Sequence, residues 1–410
     1  MIPLADVQGE VLEAITPLAP MTVPVRDALG LVTAGEVVAA EAVPPFANTA
    51  MDGYAVRAVD TAGAGPEAPV RLAVVGELRA GHAPTEAVGA GEAIRIMTGA
   101  PIPDGADAIV MVEVTERDGD AVRVLQAAEP GDHVRAAGGD LAAGDHVFPA
   151  GTALGPAHLG VLVSLGLDDV DVVPRARVGV LSTGDELIER GPLRPGQIRD
   201  SNRPMLLALA AEAGADVVDL GSARDDEALI TRTLEDALAS CDAILSSGGV
   251  SVGDYDYVKA ALDRLGRMQS WQVAIKPAKP LAFGVIGGTP VFGLPGNPVS
   301  SLVSFELFAR PALLRMMGHA QLFRPEVPAV AEHAMTRKPD GKLHLDRVRV
   351  RGEASRYVAA RTGGQASNVL SATAAANGLA LLPDGDGVPE GGEVRVMRLD
   401  WPAGDGPSGA

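Results

Sequence analysis

The chain has 410 residues, too many for one domain of about 100–200, and 47% of them are apolar, which excludes a disordered protein. Its 34 basic and 53 acidic side chains leave a net charge of −19, which repels phosphate backbones and anionic lipid and excludes general nucleic-acid binding. Aromatics are only 3%, so the cores must be built from Ala, Val, Leu and Ile, while 49 Gly and 31 Pro imply many turns and shaped loops.

Residues Asp6 to Leu18 read as a short helix followed by Pro-punctuated turns. From Phe46 to about Gly144, β-rich runs such as Val70–Val75 and Ala108–Glu113 alternate with Gly, Pro and Asp clusters, the pattern of a small β-rich domain. Leu154 to Leu167 reads as a helix entering through Pro156 and is expected to pack with the opening helix around that insertion. From Arg177 the rhythm becomes strand, loop, helix. Strands are predicted at Val178–Leu181, Asp216–Leu220 and Ala243–Leu245, and helices at Pro204–Gly214, Asp226–Ala239 and Tyr257–Leu265. Such alternation predicts an α/β domain, a parallel sheet with helices on both faces. Pro298 opens a longer helix toward Met317, and after Phe323 the alternating runs Leu343–Val350 and Val394–Leu399 predict a small antiparallel sheet or barrel. The Gly-Pro-rich stretch after Trp401 is expected to be disordered. The expected domains are 1–45 with 145–176 (an elongated helical linker domain), 46–144 (the β-rich insertion), 177–322 (α/β) and 323–401 (C-terminal β), with a tail at 402–410.

The single cysteine, Cys241, cannot close an intrachain disulfide, no Cys/His cluster has zinc spacing, and the first positive side chain is Arg26, so a cytoplasmic protein without a signal peptide is expected. The charge-free run Leu281–Phe305 is long enough to span a bilayer, but Pro290, Pro295 and Pro298 interrupt it, so no membrane helix is expected.

In an open parallel sheet, ligands bind beyond the carboxyl ends of the strands, which singles out four loops. The first, Leu181-Ser-Thr-Gly-Asp-Glu186, offers Ser182, Thr183, Gly184 and Glu186, and reads equally as a turn with helix-capping residues. The second, Ser246 to Tyr257, places Gly248, Gly249 and Gly253 between strand and helix. Glycines there let amides approach a phosphate, and Ser251 adds a hydroxyl. It has neither Walker A nor dinucleotide spacing. Its Asp254 and Asp256 read either as helix caps or, for Asp256, as a ligand for Mg2+ that also touches phosphate. The third, Ile275-Lys-Pro-Ala-Lys-Pro280, fixes Lys276 and Lys279 in a proline-stiffened segment, as an anion site or as a solvated pair on an edge strand. The fourth, Gly293 to Ser300, has Asn297 as N-cap and Pro298 at the first helical position, with Pro295 and Gly296 suited to close approach of a ligand.

Taken together, Ser182-Thr-Gly-Asp-Glu-Leu187, Ser246-Ser-Gly-Gly-Val-Ser-Val-Gly-Asp254, Lys276-Pro-Ala-Lys-Pro280 and Pro295-Gly-Asn-Pro298 resemble the molybdopterin molybdenumtransferase family, which includes bacterial MoeA and the gephyrin E domain. The likeness extends to Thr49–Val56, Met97–Pro101, Gly105–Ala108, Gly138–Leu141, Gly364–Ser367 and Asn377-Gly378, nearly the whole chain in the right order. It implies a multidomain α/β protein with a central MogA-like three-layer domain and a C-terminal β-barrel-like domain. It also implies the last step of molybdenum cofactor assembly: adenylylated molybdopterin and molybdate enter, the phosphoanhydride is cleaved, molybdenum binds the dithiolene and AMP leaves. Cleaving a phosphoanhydride needs charge neutralisation and alignment, so carboxylates holding a metal and amide donors are the expected equipment.

By this similarity Glu186, Asp225 and Asp256 serve metal or phosphate chemistry with Mg2+, although Asp225 also reads as a helix cap. Molybdate, a tetrahedral dianion, is assigned to Lys276, Lys279, Ser300, Arg347 and Ser367. Arg347 also reads as a solvent-facing strand arginine, with Arg349 an equally spaced rival. The family resembles elongated homodimers in which Asp52, Thr98 and Asp140 reach the partner's cleft, while on their own these are Gly-adjacent turn residues. Further partners implied are the adenylyltransferase and recipient molybdoenzymes. Departures from the family pattern are Ala278 between the lysines, Gln272 and Asn368. Two other readings share parts of this pattern. A molybdopterin adenylyltransferase or related nucleotide pyrophosphatase would not need the β-rich and C-terminal domains, and a gephyrin-like dimeric scaffold would not need the lysines and carboxylates.

Overall fold

The apolar strand expected at Val178–Leu181 runs over Arg177–Thr183 (β1) in the computed structural model, which describes residues 1–248, 260–261, 264–353 and 355–400. On either side of β1 lie the parallel strands β2 (Asp216–Ala223) and β3 (Ala243–Ser247). Beyond them the sheet is completed by β4 (Met268–Gln272), β6 (Pro280–Ile286) and β7 (Thr289–Leu294), in the order β2-β1-β3-β7-β6-β4. β7 is parallel to β3, β6 is antiparallel to β7 and β4 is antiparallel to β6, so four of the six strands pair in parallel and only β6 runs against the rest. The hairpins of its far edge were not among the predicted strands.

Alternation along the strands sends residues to two cores. Val178, Val180, Leu245 and Phe292 face α1 (Leu4–Glu13), α2 (Asn202–Glu212) and a helical rod starting at Pro298. Leu181, Ile244 and Val291 face α3 (Glu227–Leu238), through Ile230, Leu234 and Ala237. The expected helix Pro204–Gly214 begins two residues earlier, at Asn202.

The rod comprises α4 (Pro298–Ser304), a π-helical turn over Phe305–Ala309 and α5 (Arg310–Met316). Its cause is local. In an α-helix the Leu307 carbonyl would accept from the amide of residue 311, and Pro311 has none. Gln8 Nε2, from α1, donates to that carbonyl at 2.9 Å. Helix α1, expected to pack with the Leu154–Leu167 helix, instead buries Val7 and Val11 in the core of the rod. Glu306 in the π turn pairs with Arg324 at 3.0 Å and Arg310 at 3.9 Å, and Arg324 continues to Glu212 of α2 at 2.8 Å. Burial, reinforced by Arg324, lowers Arg310 to about 10, and burial with Arg310 pushes His319 down to about 4.

After the rod, β8 (Glu326–Ala331), β9 (Leu343–Glu353), β10 (Arg356–Arg361), β11 (Gly378–Leu382) and β12 (Glu393–Arg398) close into a five-stranded barrel, β9-β10-β8-β12-β11-β9. Val327, Val348, Ala359 and Val396 fill it. A short strand, β5 (Ile275–Lys276), joins its edge in parallel with Leu343 and His344 of β9. On the barrel's outside, Leu345, Leu379 and Met397 belong to the core of the α/β sheet.

These elements belong to one unit, comprising Met1–Gly35, Ala150–Leu159 and the chain from Asp169; a second comprises Glu36–Pro149 and Gly160–Asp168. The second unit is built on a curled six-stranded sheet in the order Ala108–Met111, Gly53–Val56, Glu92–Ile96, Val70–Leu78, Ala121–Val124, Thr115–Asp118. Its faces carry separate cores, one with Tyr54, Leu72 and Val122 and the other with Leu78, Ile94 and Ile109. Among the described residues no helix is long and apolar enough to cross a membrane.

Candidate functional site

Parallel register brings the ends of the central strands to one rim. Ser182 lies beside Ser222 and Ser247, Thr183 beside Ala223, and Ser247 beside Leu294. Each chain then bends. Gly248 turns with φ +95°, and a Cβ there would stand 2.9 Å from the Thr183 carbonyl, so only glycine fits; its amide donates to Leu294 O at 3.1 Å. Gly184 N donates to Ala223 O at 3.2 Å, and the Glu186 carboxylate folds back over Gly184. Asp225 N donates to Asp185 Oδ1 at 3.3 Å, which holds the loops after β1 and β2 together.

Two capping alternatives are resolved here. Asp226, not Asp225, caps α3, its Oδ1 accepting from Leu229 N at 3.0 Å, and the Asp225 side chain is left exposed. Asn297 occupies the N-cap position of α4 with only its carbonyl engaged, by Ser301 N at 2.9 Å, and its side chain makes no capping bond. Ser182 is fully buried and its hydroxyl donates to Asp200 Oδ2 at 2.5 Å. Gly249, Ser251, Gly253 and Asp256 lie outside the described residues.

The cationic residues lie on β9 and on the segment that β5 joins to it. Lys276 ends β5 and Lys279 follows a turn through the cis Lys276–Pro277 bond and Ala278 at φ +71°. Val273 N closes that turn on Lys279 O at 2.8 Å. Both lysines are exposed, and among the described residues neither has an ion-pair partner. Arg347 on β9 is fully buried, which corrects its reading as a solvent-facing strand arginine. The outward position belongs to Arg349; both point to the barrel's outer face, but the 364–367 loop covers only Arg347. Its Nη2 donates to Gly364 O at 3.3 Å and Ala366 O at 3.2 Å, Nη1 to Leu345 O at 3.4 Å, and Nε has no partner. No carboxylate pairs with it among the described residues, and burial lowers its pKa. In the same loop Ser367 O accepts from Val299 N at 3.2 Å, which seats half-buried Ser367 against the start of α4 and its buried Ser300. Arg347, Ser367 and Ser300 are thus linked through one loop.

Comparison with known proteins follows this layout. Residues 2–166 match the MoeA N-terminal region (domain I and II), residues 179–315 a probable molybdopterin binding domain, and residues 329–399 the MoeA C-terminal region (domain IV). The chain is 44% identical over 384 residues to molybdopterin molybdenumtransferase 2 of Mycobacterium tuberculosis, covering 92% of this chain and 94% of that protein. It belongs to the MoeA family. A Haemophilus influenzae molybdopterin molybdenumtransferase is 35% identical, covering 97% of this chain and 98% of its own. The crystal structure of a molybdopterin biosynthesis MoeA protein from Pyrococcus horikoshii aligns with TM-score 0.82 at 31% identity, over 97% of this chain and 100% of that one.

In this MoeA-family chain the second unit holds Asp52, Thr98 and Asp140. Asp52 Oδ1 accepts from both Thr98 N and Thr98 Oγ1 at 2.7 Å, and the backbone bond first, then the hydroxyl, holds its carboxyl below the ordinary range. Asp140 is exposed, its amide donating to Val43 O at 3.0 Å. Missing from the sequence reading are Asp200 and Asn202. Both precede Pro204 in an Asp-Ser-Asn cluster that reads as an ordinary helix start, yet Asn202 Nδ2 reaches Ser247 Oγ and Gly296 O, each at 2.7 Å.

Proposed function

We propose that this protein inserts molybdate into adenylylated molybdopterin, cleaving the phosphoanhydride and releasing AMP to form the molybdenum cofactor. One observation carries the reading: Arg347 is a fully buried guanidinium with a free Nε and no carboxylate partner among the described residues. Burying that cation is costly, Asp346 on the other face of β9 offsets the cost only in part through space, and a dianion beside it would offset it further. Its neighbours suit an oxyanion: Ser367 and Ser300 across the same loop, and two exposed lysines in the segment joined to β9. Molybdate is assigned there as substrate.

The adenylylated pterin is assigned to the glycine rim, where the Gly248 bend lets the main chain approach phosphate oxygens. Mg2+ takes one or two carboxylates and completes its shell with water and phosphate. Glu186 and Asp225, both exposed carboxylates at that rim and neither engaged in capping, fit that demand, with Asp256 as the third candidate. When bound, the ion would neutralise phosphate charge. Glu186 and Asp225 would hold it, the rim amides would align the phosphoanhydride, and Arg347 with the lysines would hold molybdate. Asp52, held by two hydrogen bonds from Thr98, and Asp140 are assigned to the partner's cleft in a homodimer working in the cytoplasm.

The test is turnover. Purified protein given adenylylated molybdopterin, molybdate and Mg2+ should release AMP and yield cofactor that activates an apo-molybdoenzyme. Absence of AMP release with authentic substrate overturns the reading.

A further inference from the structure

Two serines stand side by side near the ends of neighbouring strands at the rim, and the structure gives them opposite polarity. Ser182 and Ser247 are register partners on the same face of β1 and β3. Ser182 donates its proton to Asp200 Oδ2 at 2.5 Å, which leaves that hydroxyl only its lone pairs. Ser247 is the reverse. Its oxygen accepts from Asn202 Nδ2 at 2.7 Å, so its own proton remains to be donated. The second proton of Asn202 Nδ2 goes to Gly296 O at 2.7 Å, in the turn before α4, which fixes the amide's orientation. Asn202 is 8% exposed, and its Oδ1 is buried without any partner. An unsatisfied buried acceptor costs stability, and an apolar side chain at the start of α2 would avoid it. What Asn202 provides is a polar link among α2, the end of β3 and the Pro295–Asn297 turn.

We propose that Asn202 is a positioning residue of the candidate site: it holds Ser247 as a hydrogen-bond donor toward a phosphate oxygen beside the Gly248 bend and pins the Pro295–Asn297 turn against that bend. Ser247 is then a ligand-binding residue, and Asp200, by taking the Ser182 proton, keeps the neighbouring hydroxyl from competing for the same oxygen. The inference rests on the assignment of the adenylylated pterin to this rim.

The experiment measures AMP binding by calorimetry to the full chain, with KM for adenylylated molybdopterin and half-saturation by molybdate alongside. The proteins are wild type, Asn202→Ala, Ser247→Ala and the double variant, each checked by its melting temperature. Each single substitution should weaken AMP binding about tenfold, the effect of losing one hydrogen bond to a charged group. The double variant should be no weaker than the stronger single one, because Asn202 acts through Ser247. KM for the pterin should rise more than kcat falls, with molybdate half-saturation unmoved. A merely structural Asn202 would lower the melting temperature and shift all three readouts together. Unchanged AMP binding in Asn202→Ala, or losses that multiply in the double variant, overturns the inference while leaving the rim assignment standing. Failure of the wild type to bind AMP overturns both. If Asn202→Ala does not fold, Asn202→Ser replaces it: its single short donor cannot reach both Ser247 and Gly296, and the same tenfold loss is expected.

Discussion

Replacing Arg347 by Met tests the oxyanion assignment because its effects on stability and on binding are expected to separate. For stability, the guanidinium's three bonds to main-chain carbonyls are long, 3.2 to 3.4 Å, so each contributes at most about 0.5–1 kcal/mol. Against that loss stands the effective penalty of keeping a cation out of water without a carboxylate, several kcal/mol in real proteins. Methionine fills much of the same space without the charge. The two terms nearly cancel, and the melting temperature should move by no more than a few degrees, about 1 kcal/mol for a unit of this size. Binding has no such compensation. A charge-assisted hydrogen bond is worth about 1.5–3 kcal/mol, a factor of roughly 10 to 150. The molybdate concentration giving half-maximal AMP release should rise by that factor, while KM for the pterin stays within about threefold. Arg347→Lys keeps charge but not the planar fork and should fall between. Calorimetry without molybdate and a molybdate titration of AMP release decide the matter. A melting temperature that collapses while half-saturation is unchanged would make Arg347 a structural clamp for the 364–366 carbonyls and refute the reasoning.

Asp225→Asn and Asp226→Ala should divide function from folding at adjacent positions. The first should cut turnover at least about a hundredfold with little change in melting, and the second should cost about 1 kcal/mol of stability through the lost cap with turnover preserved. Gln8→Ala strands the Leu307 carbonyl and should cost about 1–3 kcal/mol, but much less in a Pro311→Ala background, where residue 311 regains an amide; additive losses in denaturant melts would show that the bond does not carry the π turn. His319 is held down to about 4, against about 6.5 when unfolded, so the unfolded chain binds the extra proton between those values. Stability should therefore rise with pH across that window and be complete above it, by an amount of order 2 kcal/mol that His319→Gln abolishes in melts from pH 4 to 7.

The sheet was legible because its central parallel strands are buried on both faces and appear as unbroken apolar runs such as Val178–Leu181 and Ala243–Leu245. The long helix from Pro298 was legible too, but not its π turn, although Pro311 inside the run was a visible cue; the rescuing donor, Gln8, lies about three hundred residues away in sequence. Distance also hid Arg347. Alternation places Arg347 and Arg349 on one side of β9, and only the 364–367 loop, folded back from beyond β10, distinguishes them. Asp225 and Asp226 are equivalent as candidate caps until the helix phase is known, and Asn202 reads as helix-start chemistry until Ser247 is brought beneath it.

How a chain of net charge −19 keeps cations available for an anion is answered by strand alternation on β9. Asp346 and Arg347 are neighbours in sequence, and in an irregular loop the carboxylate would be free to neutralise the guanidinium. The pleat sends them to opposite faces, and Asp346 is occupied by Arg361 of β10, whose Nε donates to it at 2.7 Å. Arg347 is left on the face where the covering loop offers only carbonyls, which orient a guanidinium without cancelling its charge. The lysines are isolated by a different device: a tight turn through Pro277 and Ala278 fixes the backbone beneath them, and the surrounding segment from Met268 to Leu294 contains no acidic residue. Positive charge without a direct carboxylate contact persists in this acidic molecule where the pleat turns the neighbouring carboxylate to the other face or the segment carries none, and that is the condition a site for a small dianion requires.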